Sequence, residues 1–145
     1  MPDNPFVGAW KLLSCNAIRR NGCILPIYGN EPIGRLFYDA DGNMSVHIMK
    51  AGRPNFASAS KYKCTHVEMR TAFQGYEAYF STYTIDNQRG TITHHLLGGL
   101  FPNWTNTNQL RYFKFFDNRL ILSTEPIERG IFQKTITILV WERLN

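Results

Sequence analysis

The chain is short of the motifs that announce most chemistries. It has no His-Glu-x-x-His, no His-x-His and no Cys-x-x-Cys. The converging His, Cys or carboxylate ligands that zinc and non-haem iron need are therefore not written into any short stretch, and no metal is expected. No phosphate-binding Walker loop, dinucleotide fingerprint or kinase motif occurs, so neither a bound nucleotide nor any other cofactor is expected. The Gly-x-Ser-x-Gly elbow of many serine hydrolases is missing as well.

Cysteine is scarce. Cys15, Cys23 and Cys64 are odd in number and sit at no zinc or redox spacing. "MPDNPFVGAW" has no basic region followed by an apolar run, so no signal peptide is expected. No window reaches 18 apolar residues, so no membrane partner is expected either. Reduced thiols and a cytoplasmic location follow as expectations, under which the sequons at Asn43 and Asn103 carry no glycan. The net charge is +5, yet the 16 Lys and Arg residues are scattered with no basic arm or run. Such an excess is a solvated surface, and nucleic acid is not an expected partner.

What is present is a globular balance over 145 residues, with 43% hydrophobic and 19% charged side chains. That is the size of one domain spanning 1–145, large enough to bury a full core. Aromatic residues reach 14%, with ten Phe, seven Tyr and three Trp. They suit strands, and they suit a cavity for an apolar ligand.

The dominant pattern is short strands separated by turns. Strands are predicted at 9–20, 23–29, 34–40, 43–50, 77–86, 90–99, 108–117, 119–124 and 131–143, with Pro26 demoting the second to an edge. Asp41-Gly42 marks a hairpin. Between 53 and 76 the spacing of Cys64, Val67, Met69, Ala72 and Phe73 is nearly helical and predicts one helix over about 60–73, stopped near Gly75. The expected fold is mainly β: a closed or nearly closed antiparallel up-and-down barrel of about 8–10 strands with one short helix.

"GAW" at Gly8–Trp10 and "WER" ending at Arg143 resemble the calycin pattern, in which a Gly-x-Trp on the first strand packs under an Arg from the last. "FVGAWKLLS", "GRLFYDADGNMSVHIMKAGRPNFAS", "FQGYEAYFSTYTID" and "GTITHHLLGGLFPNWTNTNQLRYF" resemble, in order and over nearly the whole chain, the bacterial and fungal lipocalin-like domain family. The resemblance implies a β-barrel with a central cavity. Some members are similar to proteins encoded beside natural-product enzymes, and fold alone does not set chemistry.

The paired histidines of "TITHHLLGGLFPNW" are split by strand geometry, because consecutive side chains point to opposite faces. His94 shares its face with Ile92 and Leu96, and His95 with Thr91, Thr93 and Leu97. The more apolar face looks inward, which makes His94 the interior candidate. The same parity directs Tyr38, Met44, Val46, Ile48, Tyr79, Tyr83, Arg111 and Phe113 inward. On the last strand both faces are apolar and parity decides nothing. Gly98-Gly99 allow a bend or bulge, and Phe101 and Trp104 fall at one end of the barrel, either closing a ligand's way in or plugging the bottom.

Apolar walls with a few fixed polar groups are what a small-molecule pocket needs. The expected catalytic set is His94 as general acid or base, Tyr38 or Tyr83 polarising a carbonyl, and Arg111 holding an anionic or keto group. The expected ligand-binding set is Tyr79, Met44, Ile48, Leu96, Phe101, Trp104 and Phe113, with Tyr79 also able to polarise the carbonyl. A competing reading makes His94 a core histidine satisfied by a neighbouring tyrosine or a backbone group. The expected function is a cofactor-independent enzyme that cyclises, isomerises or dehydrates a polyketide- or terpenoid-like intermediate; the alternative is a carrier or sensor of a small hydrophobic molecule. A homodimer is left open.

Overall fold

Period-two alternation of apolar and polar residues drives most of the chain into paired strands. The computed structural model describes residues 3–125, 127–128 and 134–145. In chain order it contains β1 (Gly8–Arg19), β2 (Ile24–Pro26), β3 (Ile33–Tyr38), β4 (Asn43–Met49), α1 (His66–Gln74), β5 (Tyr76–Asp86), β6 (Thr91–Gly99), a 3-10 turn (Pro102–Trp104), β7 (Asn108–Phe116), β8 (Arg119–Thr124), β9 (Ile127–Glu128) and β10 (Lys134–Arg143). Residues 131–133 of the strand expected at 131–143 lie outside the described residues.

Strands β1, β3, β4, β5, β6, β7, β8 and β10 follow one another antiparallel, and pairing of β10 with β1 closes them into an eight-stranded barrel. The Pro-containing β2 hangs on β1 as an edge strand, as its proline dictates. The short β9 pairs with β10. Parity holds on β3 and β4, where Leu36, Tyr38, Met44, Val46 and Ile48 are buried and Phe37 is exposed. On β10 the inward residues include Thr135, Thr137 and Trp141, while Ile136 faces out. Hydropathy could not orient this strand because threonines take the inner face.

The helix starts later than its apolar spacing predicts. Thr65 forms a capping box with Glu68, its hydroxyl accepting from Glu68 N at 3.0 Å while the Glu68 carboxylate accepts from Thr65 N at 2.9 Å. This reciprocal cap sets the first turn at His66. None of the helical residues is buried, and Val67, Met69 and Phe73 are exposed. The nearly helical spacing thus marks no core face.

One end of the barrel is sealed by the segment before β1. Phe6 is buried and packs edge-on against Tyr38, Phe113 and Phe115. The indole N–H of Trp10 donates to the Phe6 carbonyl at 2.9 Å. Arg143 lies 4.2 Å over the Trp10 ring and donates to the carbonyls of Val7 at 2.8 Å and Pro5 at 2.6 Å. The last strand thereby clamps the first.

Gly8 sits under this clamp with φ +135°, and a Cβ there would come within 2.7 Å of Arg143 Nη1. Only glycine takes that backbone conformation freely. Gly8→Ala is expected to lower unfolding stability by about 1–3 kcal/mol, measured by urea denaturation. An unchanged midpoint would show that the clamp does not hold the barrel shut.

Candidate functional site

Away from the aromatic plug the barrel encloses a cavity of about 340 Å³. Its apolar wall includes Leu36, Val46, Ile48, Leu122, Leu139 and Trp141. Its polar groups are Glu77 and Tyr79 from β5, His94 from β6, Gln109 and Arg111 from β7, Thr124 from β8 and Thr137 from β10. Tyr28 and Trp104 come from the β2–β3 and β6–β7 connections, which lie at the end of the barrel opposite the plug. Trp104 meets Tyr79 edge-on with ring centroids 6.1 Å apart, and Phe101 meets Trp104 in the same way. The tryptophan is therefore a wall of the loop end rather than a plug.

The chemistry concentrates on His94, which is 1% exposed. Its Nε2 lies 2.7 Å from the Tyr38 hydroxyl and its Nδ1 lies 2.8 Å from the Tyr79 hydroxyl. A β-bulge positions this part of the barrel. Register shifts after Phe80, and Gly99 lets Tyr79 approach so closely that an added Cβ would lie 2.9 Å from its Cβ. Burial and the nearby Arg111 cation hold the imidazole pKa down at about 3, so the ring is neutral at ordinary pH. Burial raises the phenols of Tyr38 and Tyr79, which stay protonated, while the nearby Arg111 charge opposes the shift at both.

A neutral imidazole has one donor and one acceptor nitrogen, so the two tyrosines play opposite parts. If Tyr79 donated to Nδ1, then Nε2–H would donate to Tyr38, and the Tyr38 proton would be stranded in a sealed wall. A stranded buried donor costs about 1–3 kcal/mol. In the opposite direction Tyr38 O–H donates to Nε2 and Nδ1–H donates to the Tyr79 oxygen, so the remaining proton is on Tyr79, which lines the cavity where a ligand can accept it. The Tyr79 O–H is then left to face the cavity.

The other expected site residues divide. Ile48, Tyr79, His94, Trp104 and Arg111 line the cavity. Tyr38 reaches it only through His94. Tyr83 lies beside Tyr38, but its hydroxyl donates to the Asp39 carbonyl at 2.6 Å and accepts from the Asn4 side chain at 2.9 Å. Those bonds tie it to the plugged end, away from any carbonyl in the cavity. Met44, Leu96, Phe101 and Phe113 are outside the lining: the first two are core, Phe113 packs on the plug and Phe101 is partly exposed. His95 faces outward, bonded to Thr84 and Asn108.

Glu77 and Gln109 were missed in the sequence, although the parity that selects Tyr79 and Arg111 also selects the residues two positions before them. Glu77 is half-buried, and desolvation raises its carboxyl pKa against the lowering bond from Ala78 N. Among the described residues no group of three His, Cys, Asp or Glu side chains is placed to hold a metal. No described helix is long and apolar enough to cross a membrane.

The lipocalin-like domain family model matches residues 7–144, almost the whole chain. The chain belongs to the lipocalin-like domain family. No curated protein matches it. In this lipocalin-like domain, an apolar-walled barrel with a few inward polar groups fits a small hydrophobic ligand.

The low pKa of His94 has a consequence for folding. An unfolded histidine binds a proton below about pH 6.5, while the buried ring resists protonation down to about pH 3. Stability from this group is complete above the unfolded value and is lost as pH falls toward the folded one. Wild type should therefore lose up to about 1.4 kcal/mol per pH unit in that window. His94→Gln should be less stable at pH 7.5 but should lose this part of the slope. Urea midpoints at pH 4.5, 5.5 and 7.5 check it, and an undiminished slope would contradict the buried neutral ring.

Proposed function

We propose that this lipocalin-like protein is a cofactor-independent enzyme of acid–base type. It takes a small, mostly apolar molecule of polyketide- or terpenoid-like character that bears a carbonyl, and it promotes isomerisation, cyclisation or dehydration. The observation that carries this reading is the Tyr38–His94–Tyr79 chain in an apolar wall, with the Arg111 cation lining the same cavity.

In this scheme Tyr79 O–H and the Arg111 guanidinium meet the ligand's oxygen and stabilise negative charge as it develops there. Donors fixed in a dry site need no reorganisation at that moment. His94, held in turn by Tyr38, donates to the Tyr79 oxygen and so orients that hydroxyl toward the cavity. The apolar wall supplies affinity and folds a flexible substrate toward a reactive shape.

A second reading makes the protein a carrier. It is favoured by the occupation of both His94 nitrogens, which leaves the histidine no free atom for a ligand. The two readings separate on a simple ketone. In D2O, 2-tetralone exchanges its α-protons through an enolate, which proton NMR follows directly. The enzyme is expected to accelerate this exchange over buffer, and Tyr79→Phe to slow it by about 10² while binding changes far less. Quenching of Trp104 and Trp141 fluorescence reports binding. A wild-type protein that binds 2-tetralone without accelerating exchange is a carrier.

A further inference from the structure

We propose that Glu77 is the catalytic base of this site, taking a proton from the ligand carbon adjacent to the oxygen that Tyr79 and Arg111 hold. This rests on the acid–base reading above and adds the one part which that reading lacks. A neutral His94 with both nitrogens occupied cannot accept a substrate proton without breaking a buried hydrogen bond.

Glu77 is the one carboxylate among the described residues lining the cavity. It precedes Tyr79 by two positions on β5, so both point to the same face, their Cα atoms about 7 Å apart. One of its oxygens accepts from Ala78 N at 3.0 Å. The other has no hydrogen bond or ion pair among the described residues. Arg111 reaches the same cavity from β7 and forms no ion pair with Glu77. The cation is left for the ligand's oxygen and the anion for its carbon acid. Within the lining, the titratable groups that share the cavity with Glu77 are Cys15, Tyr28, Tyr79, His94 and Arg111. Partial burial also makes its carboxylate more basic than a surface glutamate.

The step balances without any further reagent. The α-C–H bond breaks and its proton goes to the Glu77 carboxylate. The electron pair forms the enolate C=C bond, and the charge moves to the oxygen held by Tyr79 and Arg111. In D2O the proton on the Glu77 carboxyl is replaced by a solvent deuteron, and return of that deuteron to the same carbon gives exchange. In an unsaturated ketone, return to the far carbon shifts the double bond. The substrate class is therefore a ketone with an acidic α-carbon, and the reaction class is an enolate-mediated 1,3-proton shift.

The test uses the full chain and 2-tetralone in D2O. Glu77→Gln is expected to slow exchange by at least about 10², with the dissociation constant from tryptophan quenching within about threefold. The wild-type rate should rise with pH through a single carboxylate inflection, and Glu77→Gln should abolish that inflection. Glu77→Asp, a carboxylate set back by one methylene, should keep the inflection at a rate about tenfold lower. Wild-type exchange in either variant overturns the role of Glu77 while the acid–base reading survives. Equal loss of binding and exchange in Glu77→Gln overturns it too, making Glu77 an anchor. Wild-type protein no faster than buffer overturns the acid–base reading and the role of Glu77 with it. Should the Gln variant fail to fold, Glu77→Asp decides on the same rate and inflection.

Discussion

Everything in this protein depends on the first and last strands pairing to close the barrel. An open eight-stranded sheet would leave two edges and a wet inner face; closure removes both at once. The closure is made from chain termini and costs much chain entropy, so it is fastened by more than the ladder. Arg143 covers the Trp10 ring and ties down two carbonyls of the segment before β1. That segment carries Phe6 into the end of the barrel, where it is buried against Tyr38, Phe113 and Phe115. A barrel plugged at one end and lined at the other by loop residues keeps a mostly apolar pocket between them.

Burial then determines the character of the polar groups. An imidazole in water is half-protonated near neutrality; in this wall it is neutral because charge cannot be solvated there. Its two nitrogens must be satisfied by the protein, and two tyrosines from different strands do so. The same demand for satisfaction propagates outward to leave one phenolic hydrogen facing the cavity. Polarity there is thus in part a by-product of a satisfied core, beside the Glu77, Gln109, Arg111, Thr124 and Thr137 groups that also line the cavity. The two readings of His94, as a core residue and as part of a site, describe the same atoms.

Much of this was legible in the sequence because strands have period two. That rule put His94 inside and His95 outside, and grouped Tyr38, Tyr79, Ile48 and Arg111 on inner faces. Gly98 and Gly99 marked the bulge, since only residues without a Cβ tolerate Phe80 and Tyr79 so near. Where the pattern is ambiguous the reading stopped: β10 turns threonines inward, so hydropathy could not orient it. Apolar spacing overextends the helix because it mimics a core face, while the Thr65–Glu68 cap sets its start and none of its residues is buried.

Pointing inward is a local property, but lining a cavity is not. Met44, Leu96, Phe113 and Tyr83 all sit on inner faces as their parity requires, yet the barrel has two ends and they lie in its filled part. Which inward residues meet an empty space depends on strand stagger, on the plug supplied by Phe6 and on loops arriving from elsewhere in the chain. The sequence by itself determined the barrel strands, the faces of most of them and the family, because alternation, turn residues and the Gly-x-Trp and Arg pair act over short stretches or by simple pairing. Only the tertiary structure decided that Tyr38 and Tyr79 grip His94 from two sides, that Tyr83 bonds to the backbone instead, and that Glu77 and Arg111 share one pocket. Those outcomes depend on packing distances between strands far apart in the chain, which no local pattern encodes.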